Sequence, residues 1–167
     1  RGICRKENFL DLFENFILYD HSGGHTAEIP ARNHQYLGVN EAMKAYAARK
    51  LNNGKLGVFW HTQGSGKSYS MVFFAQKVRR KFEGSPTFVI LTDREELNTQ
   101  ISDTFENCGL LGKTKEAQFI ATSGDDLVQK LKGNPGFIFT LIQKFNKPSA
   151  EPIYPDHDII IMSDEAH

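Results

Sequence analysis

Lys67 and Ser68 are the residues whose types and spacing point most directly to chemistry. They close the stretch HTQGSGKS, residues 61–68. A lysine and a hydroxyl residue after a glycine-rich turn are the end of the pattern G-x-x-x-x-G-K-[ST], in which backbone N–H groups cradle phosphate oxygens. Gly64 and Gly66 let the backbone wrap closely. A helix opening near Lys67 adds the positive end of its dipole. Lys67 can reach the β- and γ-phosphates of a nucleotide, and Ser68 can give its hydroxyl to Mg²⁺. His61 stands where the first glycine of the pattern belongs. That position lies at the end of a strand and makes little phosphate contact, so the histidine breaks the pattern and not the mechanism. A glycine-rich turn without ligand is the plainer alternative. The order strand, turn, helix favours nucleotide binding over it.

The second half of such a site is an acidic residue at the tip of another strand, and DIIIMSDEAH, residues 158–167, supplies one. Asp164 can hold Mg²⁺, through water, and Glu165 is placed to polarise an attacking water. Standing alone, the pair would read as a solvated turn after a buried strand. Downstream of a phosphate loop it becomes the other half of a nucleotide site.

Such residues need a scaffold, and the chain offers one. Five short apolar runs, residues 56–60, 87–91, 117–121, 136–141 and 158–163, are rich in Val, Ile and Phe without clean alternation. Runs of this kind suit strands buried on both faces of a parallel sheet. Between them Met71, Phe74 and Val78 recur at helical spacing, as do Leu97, Ile101 and Phe105, and Ser123 is a candidate N-cap. Strand alternating with helix predicts a parallel α/β sheet with right-handed crossovers. Upstream, residues 7–19 and 33–51 carry helical patterns, and DHSGGHTAEIPAR between them reads as a loop or linker.

The 167 residues are enough for one domain, and 40% hydrophobic content is enough for a sizeable core. Twenty basic and twenty acidic residues cancel, so overall charge gives no hint of nucleic acid and leaves room for a local basic groove. Cys4 and Cys108 form no ligand pair. No apolar run approaches a membrane span, and the first residues lack a signal-peptide core. A soluble, cytoplasmic, reducing setting is expected. The final strand runs straight into SDEAH with no closing helix, as expected of a piece of something longer.

With both motifs on the page, the chain resembles superfamily 2 helicase-like motors over most of residues 32–167. TQGSGKS is similar to their motif I and DEAH, residues 164–167, to their motif II. RNHQYLGVNEAM, FWHTQGSGKS, LTDREELNTQ, TLIQKF and SDEAH together resemble the first motor domain of the restriction (R) subunit of type I restriction–modification enzymes. In that family the loop usually begins with His, as it does here at His61. The resemblance implies an α/β, RecA-like P-loop parallel sheet flanked by helices over residues 32–167, incomplete after motif II. Residues 1–31 would be a short helical lead-in and linker.

The resemblance also implies roles. Thr62, Gly64, Ser65, Gly66, Lys67 and Ser68 belong to the ATP-binding loop, with Ser68 and Asp164 on Mg²⁺ and Lys67 and Glu165 as the catalytic pair. Gln35 matches the glutamine that reads the adenine edge, with Arg32 nearby; a polar residue on an exposed helix face is the plain alternative. Asp93, Arg94 and Gln100 match motif Ia, and Arg94 would touch DNA phosphate or hold a loop by an ion pair. Thr140, Gln143 and Lys144 match motif Ib and would face the DNA strand. The implied parent couples ATP hydrolysis to translocation on double-stranded DNA and then cleaves it, with methylation and specificity subunits as partners in a bacterial or archaeal cytoplasm.

In superfamily 2 motors an arginine from a second motor domain stabilises the transferring phosphate, and this chain ends before any such motif. The isolated chain is therefore expected to bind ATP without turning it over. Two other readings stand beside this one. One is a different superfamily 2 helicase acting on DNA or RNA, and the other is a nucleotide-binding module without turnover. Three weaker constellations remain. His21 and His25 in HSGGH suit a mobile polar loop better than a metal. The basic run KVRRK, residues 77–81, suits a solvated helix end. Pro155–Asp156 is followed by no acidic-x-Lys, so no nuclease site is legible.

Overall fold

The computed structural model describes residues 5–62, 64–111, 119–145 and 157–164. The chain is α/β and forms two compact units. The first comprises residues up to Lys81 together with Asn107–Leu110, and the second the remainder.

In the first unit α1 (Lys6–Asn15) leads into an antiparallel pair, β1 (Ile17–Asp20) and β2 (Ala27–Pro30), followed by α2 (Asn33–Ala47) and α3 (Lys67–Lys81). The helix expected over residues 7–19 therefore stops at Asn15. Ile17–Asp20 alternates buried and exposed side chains and pairs Leu18 with Ile29. The apparent linker supplies that partner, because a glycine turn brings Ala27–Pro30 back alongside. A strand partner ten residues away outweighs a weak continuation of the helical pattern.

Phe16 is the hub of this unit. Fully buried, its ring lies 4.7 Å from that of Tyr36 and 5.6 Å from that of Phe73. Burial of such a ring contributes about 1.5–3 kcal/mol. Beside it, Lys77 is only 6% exposed. Its Nζ donates to Asp11 at 2.5 and 2.7 Å and to Asn40 Oδ1 at 2.7 Å. Burial pushes the Asp11 carboxyl up, but the Lys77 ammonium and the Asn15 amide outweigh it and hold the group below its ordinary range. Lys77 thus departs from the solvated helix end expected of the basic run, whereas Arg79, Arg80 and Lys81 at its end are exposed as expected. Arg80 donates to the carbonyl of Glu14, and Lys81 reaches the Glu14 carboxylate at 2.9 Å. These cations brace α1 against α3.

Residues 56–60 contradict the expected first strand. They carry no regular structure, and Val58 and Trp60 are 91% and 89% exposed. Gly57 takes φ +112°, a conformation open to glycine and incompatible with an extended run.

The second unit holds a parallel sheet in the order β4 (Phe137–Leu141), β3 (Thr87–Thr92), β5 (Ile159–Ser163), with α4 (Glu95–Asn107) and α5 (Gly124–Lys132). Three of the five apolar runs are therefore strands of one parallel sheet. From the fourth, Ile120 makes a single parallel bridge to Phe139. Alternation along β4 divides the packing. Phe137 and Phe139 receive Phe105 of α4, each at 5.4 Å, while Ile138 joins Leu127 and Leu131 of α5. Successive side chains of a strand point to opposite faces, so the two helices cover the sheet from opposite sides. This is the layering of a RecA-like fragment. Ser123 caps α5 as expected, accepting from the Asp126 N–H at 3.1 Å.

Candidate functional site: a phosphate loop held by a neighbouring helix

The glycine-rich turn opens α3, which begins at Lys67. Gly64 and Gly66 both have positive φ, 75° and 87°. At Gly66 a Cβ would also sit 2.9 Å from Gln35 Nε2, so a side chain there would have to displace the Gln35 amide. Lys67 and Ser68 fall in the first turn of the helix, where backbone N–H groups have no intrahelical acceptor and the dipole favours an anion. Thr62 lies exposed at the loop's entry and accepts a turn bond from the Ser65 N–H at 3.2 Å. The Ser65 Oγ is shielded from solvent and meets no partner among the described residues. A buried hydroxyl left in this way costs about 1–3 kcal/mol. An orphaned hydroxyl and a glycine-only backbone fit a phosphate-bearing ligand.

The first turn of α2 grips this loop from behind. His34 Nε2 lies 3.1 Å from the Ser65 carbonyl, and Gln35 Nε2 donates to the Gly66 carbonyl at 2.9 Å. The Gln35 Oε1 accepts from the Arg32 N–H at 2.8 Å, one half of a capping box. Arg32 cannot supply the other half, because a guanidinium has donors only. Gln35 is 3% exposed and not the exposed helix-face residue of the plain alternative. Each atom of its amide already has one backbone partner and keeps capacity for one more.

The first loop position is also packed. The His61 ring lies 4.6 Å from that of His34 and 4.3 Å from that of Phe59. Phe59 in turn lies over Gly38 of α2, where a Cβ would fall 1.9 Å from its ring. Burial, His34 and Lys67 all push the His61 imidazole below its ordinary pKa. Behind Ser68, Tyr69 donates to Asp20 at 2.7 Å, and burial with that bond raises its phenol to about 12. Nothing in the sequence flags Asp20 or His34, since both contacts join distant segments.

In the second unit the remaining expected residues gather at the C-terminal ends of the parallel strands, the end where open α/β sheets bind ligands. Asp93 and Arg94 follow β3, Gln143 and Lys144 follow β4, and Asp164 follows β5. Asp164 is buried, and its N–H donates to the Leu91 carbonyl at 2.9 Å. A carboxylate is a hard oxygen donor of the kind Mg²⁺ takes. Glu165 lies outside the described residues. Gln143 Nε2 donates to the Asp93 carbonyl at 3.0 Å, and Lys144 Nζ to the Ala121 carbonyl at 2.5 Å. Arg94 is exposed, with Nε 3.3 Å from Asp93. Thr140 corrects the expectation of a strand-facing contact. It is fully buried within β4, and its Oγ1 has no partner among the described residues. Both faces of β4 are covered, so the side chain cannot reach a surface.

Comparison with known proteins agrees with these motifs. Residues 34–167 match the SWI2/SNF2 ATPase family. The chain is 40% identical over 99% of its length to the type I restriction enzyme HindI endonuclease subunit of Haemophilus influenzae, covering 16% of that protein. It is 34% identical, again over 99% of its length and 16% of the relative, to the putative MjaIXP endonuclease subunit of Methanocaldococcus jannaschii. The chain thus spans about one sixth of the length of these curated relatives. No helix among the described residues is long and apolar enough to cross a membrane.

Proposed function

Because the chain belongs to the SWI2/SNF2 ATPase family, we propose that it is the ATP-binding part of a motor that moves double-stranded DNA within a type I restriction endonuclease subunit. The observation that carries this reading is the glycine-built phosphate loop, with Lys67 and Ser68 in the first turn of α3 and two of its carbonyls held by α2. Backbone N–H groups of the loop bind the phosphates, and Lys67 balances their charge. Gln35 and Arg32 lie beside the base. Ser68 and Asp164 are the groups that would hold Mg²⁺, which screens phosphate charge when bound. Glu165 orients and deprotonates the attacking water.

Arg94, Gln143 and Lys144 are proposed to follow the DNA backbone. Such contacts position a protein without reading sequence. Methylation and specificity subunits would then supply the choice of site, in a bacterial or archaeal cytoplasm. Residues 32–167 would act as the first motor domain, with 1–31 as its lead-in.

The test is phosphate release by the full-length protein that carries this chain, with and without duplex DNA. Hydrolysis is expected to rise with duplex and to fall as salt increases, since phosphate contacts release counterions. Hydrolysis indifferent to duplex, or stimulated by RNA alone, would replace the DNA motor with another member of the superfamily.

A further inference from the structure

We propose that His34 is a positioning residue for the phosphate loop, holding the loop at His61 and at Ser65 through one imidazole. This deepens the ATP-binding reading above and rests on it. The ring meets His61 at 4.6 Å, and its Nε2 lies 3.1 Å from the Ser65 carbonyl. A carbonyl only accepts, so Nε2 carries the proton and donates. The bond therefore fixes the tautomer.

Peptide geometry turns this contact into a directional one. A trans peptide unit points its C=O and N–H in opposite directions. Holding the Ser65 carbonyl towards α2 sends the Gly66 N–H the other way. The Gly66 carbonyl, held by Gln35 and by the Ser70 N–H at 3.1 Å, does the same for the Lys67 N–H. Two consecutive donors of the loop are thereby aimed away from α2, as an oxyanion site requires.

His34 also answers for two departures from the expected motif. Residues 56–60 form no strand, so no sheet ladder anchors the loop's entry. His61 replaces a glycine and thereby provides a ring to hold. The column Gly38, Phe59, His61, His34 ties the entry to α2 in place of a ladder. Among the described residues, a glycine at position 61 would leave His34 the Ser65 contact.

The experiment is steady-state ATP hydrolysis by the full-length protein, comparing wild type with His34→Phe, His34→Gln and His61→Gly. His34→Phe keeps a ring beside His61 and loses the donor. Its KM for ATP is expected to rise about five- to ten-fold, the usual effect of one lost hydrogen bond, with kcat changed less than two-fold. His34→Gln restores an N–H donor and should recover at least half of that loss. His61→Gly should raise KM in the same direction and keeps the test open if His34→Phe does not fold. An unchanged KM in both His34→Phe and His61→Gly, or no recovery in His34→Gln, overturns the positioning role. A wild type that fails to hydrolyse or bind ATP overturns the function itself, and the positioning role falls with it.

Discussion

Glu165→Gln in the full-length protein is expected to leave Mg-ATP binding intact and to lower DNA-stimulated phosphate release by about 10²–10⁴-fold, the range of a lost general base. Gln keeps the size and hydrogen-bonding reach of Glu but cannot take a proton. In the proposed site, binding rests on other groups, chiefly the loop N–H donors and Lys67, so the two effects should separate. DNA cleavage should stop as well, because a motor that does not turn over cannot signal translocation to a nuclease. Phosphate release, nucleotide affinity and linear-product formation measure the three consequences. A variant that hydrolyses ATP at the wild-type rate would remove Glu165 from the chemistry. Equal loss of binding and turnover would make it a structural residue instead.

The 167-residue chain on its own is expected to bind Mg-ATP and to show negligible hydrolysis, with or without duplex DNA. Phosphoryl transfer depends on stabilising charge spread over the γ-phosphoryl oxygens, and a positioned arginine typically contributes about 10³–10⁵-fold. In superfamily 2 motors that arginine comes from a second motor domain. Among the described residues, Arg80 donates to the carbonyl of Glu14, and Arg94 lies beside Asp93 just after β3. Phosphate release by the purified chain, assayed beside the full-length protein, decides the matter. Brisk DNA-stimulated hydrolysis by the chain alone would mean that the catalytic set is complete within it.

Much of the scaffold was legible because burial on both faces leaves a plain mark. Thr87–Thr92 and Phe137–Leu141 are continuous apolar runs, and both became strands of the parallel sheet. Residues 56–60 carry the same mark and form no strand, because Gly57 adopts a backbone conformation that composition does not reveal. β1 was hidden for the opposite reason. Ile17–Asp20 extends an amphipathic helical pattern, and only its pairing with Ala27–Pro30 selects the strand. The site divides similarly. Lys67, Ser68 and Gly66 are local signals, spaced by one turn of chain. The contacts of His34 and Gln35 with the loop span 31 residues, and such distances leave no periodic trace. Thr140 shows the limit of carrying a motif over position by position, since the register of β4 sends its side chain into the core.

Calorimetry of Mg-ATP binding to the chain, wild type against Lys67→Ala, tests the nucleotide site most directly. Lys67 is the one cationic side chain in the first turn of α3, and the proposed site gives its charge to the phosphates. Charge-assisted hydrogen bonds contribute about 1.5–3 kcal/mol each, so losing this one should weaken binding by about 10–150-fold and carry a weak site beyond detection. The wild type should release heat that saturates with Mg-ATP, and Lys67→Ala, with its fold verified by circular dichroism, should release none. Equal binding by the two proteins would contradict a nucleotide site at residues 61–68 and return the stretch to a glycine-rich turn.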